Sequence, residues 1–217
     1  MMIVFTVVFT VLLRNNTIER FPIFVLIGVL AWNLHATAVM GCISSILGNA
    51  NLVQKVYFPK EVLPISVVLS NTVNYLLASI VLFALIVVLG GNLTISVLFF
   101  PVVLLVQVVF TMGLALILSA VTVFFRDVGI IMETVMLCWF FLTPIFYRIE
   151  DVFPTYARLM YIFNPPASLV SAYRDILYSG GMPGWDFLFR TFITSVILLV
   201  VGYFIFTKVS RHFAEAL

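Results

Sequence analysis

Only two histidines, His35 and His212, and two cysteines, Cys42 and Cys138, offer the side chains that most often perform proton-transfer, nucleophilic or metal chemistry. Histidine-dependent acid–base catalysis therefore has little to draw on. Both cysteines lie deep in apolar runs, where they read as small packing residues and not as a disulfide or metal pair. None of Lys55, Lys60 and Lys208 follows a glycine, so the phosphate-binding Gly-x-x-x-x-Gly-Lys-Ser/Thr loop is absent. His-Glu-x-x-His, Cys-x-x-Cys and Gly-x-Ser-x-Gly are absent as well. Asn15-Asn16-Thr17 and Asn92-Leu93-Thr94 match a glycosylation acceptor, but such triplets are too common by chance to carry an argument. Asn33 and His35 fall together in an apolar stretch. They either line a polar path or, more simply, are hydrogen-bonded packing residues. Glu133 is a lone carboxylate among apolar residues, an expensive arrangement that marks function by default. It stands about two turns from Arg126-Asp127, and the plainer reading places it near lipid headgroups.

The elements that must position these groups are membrane helices. Hydrophobic residues make up 64% of the chain and charged ones 9%, against roughly a quarter charged in an average globular protein. The net charge of +2 comes without a basic cluster, so nothing here matches a nucleic-acid backbone. No charge occurs from Phe21 to Gln54 or from Val62 to Phe125. Phe21–Leu47 is long enough for one span, with a small-residue stripe of Gly41, Ser44, Ser45 and Gly48 that allows close helix approach. A single helix over Val62–Phe125 would reach about 96 Å, roughly three bilayers. Gly90-Gly91-Asn92 divides it into two spans joined by a tight turn. That even number sets the Asn49–Glu61 segment and the Arg126-Asp127 turn on one membrane face.

Val128–Tyr147 reads as a fifth span and Thr191–Thr207, between Arg190 and Lys208, as the last. Between them, Arg148–Asp186 is too apolar for a solvated loop. Asn164-Pro165-Pro166 cuts it into two segments too short to cross, and Gly180-Gly181 closes the second as a helix end would. Apolar stretches of about 10–14 residues read as interfacial or re-entrant helices. Met1–Leu13 is apolar but short of the roughly 20 residues a span requires. It also lacks the basic start and small-residue cleavage site of a signal peptide. The expected fold is an all-α integral membrane protein of about six spans, the first truncated, in one transmembrane domain over residues 1–217. Lysines and arginines do not orient it. Lys55, Lys60, Arg126, Lys208 and Arg211 fall on one side; Arg14, Arg20, Arg148, Arg158, Arg174 and Arg190 fall on the other.

The polar island between the two long apolar runs, Asn49–Pro64, has its own organisation. Asn49 and Asn51 are positioned to cap a short helix. Leu52 with Val56, and Val53 with Tyr57, are i,i+4 pairs that give this helix an apolar face. Pro59 pushes Phe58 out of the helical region, and Pro64 falls in the first turn of the next helix, where its missing N–H costs little.

The run Gly48-Asn49-Ala50-Asn51-Leu52-Val53-Gln54-Lys55-Val56-Tyr57-Phe58-Pro59-Lys60-Glu61-Val62-Leu63-Pro64 resembles the cytoplasmic coupling-helix segment of ABC-2 type permeases. The closest group exports O-antigen, capsule or teichoic-acid polymers. Met2–Phe9, Trp32-Asn33 and Val123-Phe124-Phe125-Arg126-Asp127-Val128 agree with the family in order and spacing, so the resemblance spans essentially the whole chain.

The resemblance implies a multi-pass permease subunit of the bacterial inner (cytoplasmic) membrane, paired as a homodimer and moving a lipid-linked polysaccharide or polyol-phosphate polymer. ATP would be bound by a separate ATPase subunit, with no cofactor, metal or catalytic residue on this chain. It places the island in the cytoplasm and assigns Asn51, Leu52, Val53, Lys55, Val56 and Tyr57 to ATPase docking. The family's last loop carries short helices that dip into the outer leaflet, as Arg148–Asp186 would. Family members begin with a basic interfacial helix missing here, and residues 1–13 match the second half of the family's first span; the expectation is a chain incomplete at its N-terminus. The family's first and fifth spans line the pathway, which points to Phe5, Phe9, Trp139, Phe140 and Phe146. Aromatic rings suit the apolar faces of sugars, and 15% of this chain is aromatic.

Two other classes stay open on the residues alone. An intramembrane lipid- or sugar-modifying transferase would need a cluster of acid, base or metal-binding groups where this sequence has scattered single charges. A structural membrane subunit without a transport path is the blander alternative. The spans also lack the series of ionisable groups that ion-coupled carriers use, so transport energy would come from a partner.

Overall fold

The structure, a computed structural model, describes residues 20–90, 93–149 and 157–213, the side chains of 157 and 158 excepted. Helix α1 (Phe21–Ser45) passes through a 3-10 turn (Leu47–Asn49) into the short α2 (Ala50–Lys55) and then α3 (Val62–Val88). A 3-10 turn (Ile95–Phe99) leads into α4 (Phe100–Phe124), followed by α5 (Val128–Leu142), α6 (Ala157–Phe163), α7 (Pro165–Leu177) and α8 (Trp185–Val209). No strand occurs among the described residues. Four stretches are long and apolar enough to cross a membrane: Phe21–Ser45, Val62–Val88, Ile95–Phe124 and Trp185–His212. The predicted stretch Met1–Leu13 lies outside the described residues.

Prolines mark the helix starts. Pro22 and Pro101 sit in the first turns of α1 and α4, where no N–H partner is required. At the end of α3, Gly90 adopts φ 71°, a left-handed turn that glycine takes without steric cost. The broadest helix pair is α4 with α8. Its closeness depends on two glycines: a Cβ on Gly202 would lie 2.5 Å from the Gly113 carbonyl oxygen, and one on Gly113 would lie 2.7 Å from the Leu199 nitrogen. The predicted small-residue stripe contributes less. Gly41 clears Val67 across the α1–α3 contact, whereas Gly48 has nothing near it. Cys42 is buried in that contact, while Cys138 is exposed on α5 and is not a packing residue.

The contacts bear out the parity argument. Val53 of α2 packs with Leu116, Ala120 and Val123 of α4 and with Phe206 and Phe213, so α2 and the Arg126-Asp127 turn share one end of the molecule. At the opposite end, Ser96 donates to the Gly180 carbonyl (3.1 Å) and Phe99 meets Trp185 edge-on at 5.2 Å.

Two expectations change. Val128–Tyr147 is not one helix: α5 stops at Leu142 after 15 residues, and Thr143 is extended (φ −90°, ψ 131°). Pro144 is the reason, since it disfavours helical geometry in the residue before it. At 1.5 Å per residue α5 is about 22 Å long, short of a hydrocarbon core of about 30 Å. The island helix is also shorter than expected, as described below. The Asn164-Pro165-Pro166 break holds. Asn164 caps α7 by accepting from the Ala167 N–H (3.3 Å). Gly180 (φ 66°) closes the far end, with the Gly181 N–H returning to the Asp175 carbonyl (2.9 Å). Helix α7 is buried along most of its length against α1, α4 and α8.

Candidate functional site

The island folds into one turn and a half of helix, Ala50–Lys55, and leaves it at Val56, which is extended (φ −121°, ψ 133°). Val56 and Tyr57 therefore stand beyond the helix that was expected to include them. Asn49 occupies the N-cap position without capping through its side chain; its Nδ2 donates instead to the Ser45 carbonyl (2.9 Å), and Asn51 lies within the helix. The expected apolar face divides in two. Val53 is buried in this chain's own core, while Leu52, Val56 and Tyr57 are exposed, Tyr57 fully. Asn51 and Lys55 are exposed beside them.

This exposed edge borders a cleft of about 790 Å³ lined by Val53 through Glu61 together with Ser210 and Arg211. Lys60 ties its two walls: its Nζ donates to the Ser210 carbonyl (2.7 Å) and lies 5.6 Å from the Phe213 ring centroid. Chain position alone carries no sign of that link, because the partners are 150 residues apart. The arrangement seats Val53 of α2 against α4 and α8 and leaves apolar side chains exposed beside it. Such a surface suits docking and carries no acid–base pair.

A second set of polar groups joins the helices internally. Gln107 donates to the Ala31 carbonyl (2.6 Å) and accepts from the Tyr173 hydroxyl (2.7 Å), so α1, α4 and α7 meet at one amide. His35 Nδ1 is 3.0 Å from the Thr111 hydroxyl, which fits the packing reading; its Nε2 has no partner among the described residues. Its companion Asn33 is exposed. Arg174, counted in the sequence only as a charge, is buried. It donates to the carbonyls of Phe24 (3.4 Å), Pro144 (2.5 Å), Ile145 (2.6 Å) and Tyr147 (3.4 Å), and its guanidinium lies 3.5 Å from the Phe24 ring centroid. Three of these carbonyls are freed by the Pro144 break, so Arg174 satisfies the backbone that the broken helix leaves open. Gly28 makes room for it, since a Cβ there would come 2.9 Å from Nη2.

Of the five aromatic candidates, Phe5 and Phe9 lie outside the described residues. Trp139, Phe140 and Phe146 come together, half-buried against α1. Trp139 and Phe140 meet Trp32 edge-on at 6.3 and 5.8 Å, and Phe146 meets Phe140 at 5.6 Å. Trp139 also donates to Asn164 Oδ1 (2.9 Å), while Asn164 Nδ2 donates to the Leu142 carbonyl (3.1 Å). One side chain thus caps α7, ends α5 and anchors Trp139. An Asn immediately before Pro-Pro is a cap signal readable in sequence; the long-range partners are not. Glu133 is exposed on α5.

Comparison with known proteins supplies what geometry alone leaves open. The profile of a family described as ABC-2 type transporter matches residues 1–178. A Myxococcus xanthus protein, O-antigen export system permease protein RfbA, is 38% identical over 217 residues, covering 100% of this chain and 83% of that protein. A Klebsiella pneumoniae protein of the same name is 30% identical over 207 residues, covering 95% of this chain and 79% of its own length.

Proposed function

The chain belongs to the ABC-2 type transporter family, and from that premise we propose that it is the membrane subunit of a bacterial polysaccharide exporter. Its substrate is a lipid-linked polysaccharide or polyol-phosphate polymer crossing the cytoplasmic membrane, in line with the O-antigen export named for its relatives. A separate ATPase subunit binds ATP and drives the movement; this chain catalyses no reaction. The functional unit is a homodimer with two ATPase subunits, because one copy provides only one wall of a pathway. Each copy contributes about six crossings, the first truncated, and the four long helices supply four of them.

The observation that carries this reading is the exposed apolar edge formed by α2 and the two residues that follow it. Leu52, Val56 and Tyr57 are exposed beside the cleft, while Val53 packs against α4 and α8 and Lys60, after α2, bonds the Ser210 carbonyl just beyond α8. Force applied to α2 therefore reaches two spans directly. The aromatic cluster of Trp139, Phe140 and Phe146 is part of the proposed track for sugar rings, for which Phe5 and Phe9 are the other candidates; weak repeated contacts bind without trapping. Leu52→Asp tests the docking role. In a purified complex of this chain with its ATPase, it is expected to abolish stimulation of ATP hydrolysis and polymer export while the chain still folds. Undiminished stimulation and export in that variant, or a complex holding a single copy of this chain, would refute the corresponding claim.

A further inference from the structure

Helices α1 and α3 carry amide and hydroxyl side chains at a depth where lipid offers them no partner. Asn33 stands twelve residues from each end of α1 (Phe21–Ser45), and Asn74 stands twelve residues into α3 (Val62–Val88). At 1.5 Å per residue each lies about 18 Å from the nearer end of its span, close to the middle of a bilayer.

A groove of about 120 Å³ runs between the two helices at this depth. Asn33, Thr37, Asn71 and Asn74 line it, together with the buried Leu34 and Tyr75. Asn33, Thr37 and Asn74 are exposed and Asn71 is partly so. Thr37 donates to the Asn33 carbonyl (2.5 Å) and Asn71 Nδ2 to the Val67 carbonyl (2.9 Å), each four residues back on its own helix. Among the described residues the side-chain amides of Asn33 and Asn74 make no hydrogen bond. Neither helix carries a charge. The groove therefore presents two unengaged amides, an exposed threonine and a third, partly exposed amide in the middle of an otherwise apolar surface.

We propose that this groove holds saccharide units of the exported polymer as they cross the middle of the membrane, with Asn33 and Asn74 exchanging hydrogen bonds with sugar hydroxyls. Depth and chemistry together select this occupant. Acyl chains bond to neither amide, and a side chain as short as asparagine cannot reach the headgroups from mid-membrane. An ion would need a counter-charge, which neither helix has. A second copy meets this face about a two-fold axis only if the face is complementary to itself. Two grooves set together enclose a space and leave the amides unpaired. An uncharged polyhydroxylated chain fits, because an amide and a hydroxyl each donate and accept. A groove of this size takes the edge of a sugar ring without enclosing it, so the chain can slide on. Trp32, next to Asn33, packs with Trp139 and Phe140, so α1 joins the groove to the aromatic cluster. The inference rests on the export reading, which supplies the polymer, and adds hydrogen bonding to the aromatic track.

The test has a contact arm and an export arm, both in cells whose own copy of this gene is deleted and which still make their polymer. In the first, p-benzoylphenylalanine replaces Thr37, and the permease–ATPase complex is illuminated in intact cells and recovered. A ladder of permease adducts bearing the polymer's sugars is expected. Ile80 lies two and a half turns from Asn71, on the opposite side of α3, and the same probe there is expected to give no such ladder. Absence of sugar-bearing adducts at Thr37 overturns the proposal, whether the probe captures a second permease, phospholipid or nothing. So do equal ladders at Thr37 and Ile80. In the second arm, Asn33→Leu combined with Asn74→Leu is expected to restore several-fold less surface polymer than wild type, with equal amounts of complex recovered. Asn33→Gln with Asn74→Gln keeps both amides and is expected to restore most of it. Polymer restored equally by wild type and the leucine variant overturns the proposal. So does loss of the complex in the leucine variant, which would make the amides structural. A deletion that leaves surface polymer unchanged overturns the export reading instead.

Discussion

Two adjacent residues of α2 have opposite environments: Leu52 is exposed and Val53 is 4% exposed, packed among Leu116, Ala120, Val123 and Phe206. The same substitution should therefore act in two different ways. Val53→Asp buries an unpaired carboxylate and is expected to abolish accumulation of folded protein, whereas Leu52→Asp leaves thermal stability in detergent near wild type and removes coupling. Equal melting temperatures for the two variants would contradict the assignment. Arg174 makes a sharper case. A buried guanidinium bonded to four carbonyls is a joint between α1, α7 and the break after α5. Arg174→Met leaves those carbonyls without donors and is expected to destabilise the protein by about 3 kcal/mol or more. Arg174→Lys should rescue little, because a point charge cannot span the carbonyls that the planar fork reaches. Detergent melting curves of both variants check this, and a full rescue by Lys would show that charge alone matters.

The element that depends most on a single position is the α4–α8 pair. Its axes approach where Gly113 faces Gly202, and the closest atoms a Cβ would meet are backbone atoms, which cannot rotate away. Close backbone approach is the main attraction available to helices in lipid, because the surrounding chains are as apolar as the side chains. Gly202→Val is thus expected to separate the pair and cost about 1–3 kcal/mol, as overpacking does. Because α8 also carries Phe206 and leads to Phe213, both packed with Val53 of α2, the loss should spread to the α2 end of the molecule. A cysteine pair across α4 and α8 that crosslinks as fast in Gly202→Val as in wild type would count against this account. Helix α5 has the opposite character. It contributes a partly buried aromatic face to α1 and leaves Ile130, Ile131, Leu137 and Phe141 exposed among the described residues.

For the whole molecule, the arrangement of ends is the property on which function depends. Helix α2, the Arg126-Asp127 turn and the 3-10 turn Ser210–His212 cluster together, and the Ser96–Gly180 and Phe99–Trp185 contacts lie at the other end. Single cysteines introduced at Gln54 and Arg126, in a variant lacking Cys42 and Cys138, are expected to react with an impermeant thiol reagent from the same side of sealed vesicles. A cysteine at Ser179 is expected to react from the other side. Labelling of Gln54→Cys and Arg126→Cys from opposite sides would break the topology and with it the placement of the proposed docking surface.

Long uncharged runs, prolines and glycines are local signals, and what they state about helices survived folding. The charge-free stretch Val62–Phe125 had to divide in two because one helix of its length has no bilayer to match, and Gly90 took the left-handed turn that divides it. Asn164-Pro165-Pro166 broke the chain where it stands, since proline constrains its own φ and its predecessor's ψ whatever surrounds it. The same rule, applied to Pro144, was present in the sequence but hidden by the uniform hydrophobicity of Val128–Tyr147. In the island, Leu52 with Val56 and Val53 with Tyr57 are equally apolar i,i+4 pairs, so the sequence could not say that Val53 turns inward while Leu52 turns out. Lys60 with Ser210, Trp139 with Asn164, Gln107 with Tyr173 and Arg174 with Phe24 are joints between positions far apart in the chain. Each depends on which helices become neighbours. In a chain whose helices are apolar on every side, tertiary packing alone decides that, through the few small residues that let backbones touch and the few polar groups that must find a partner.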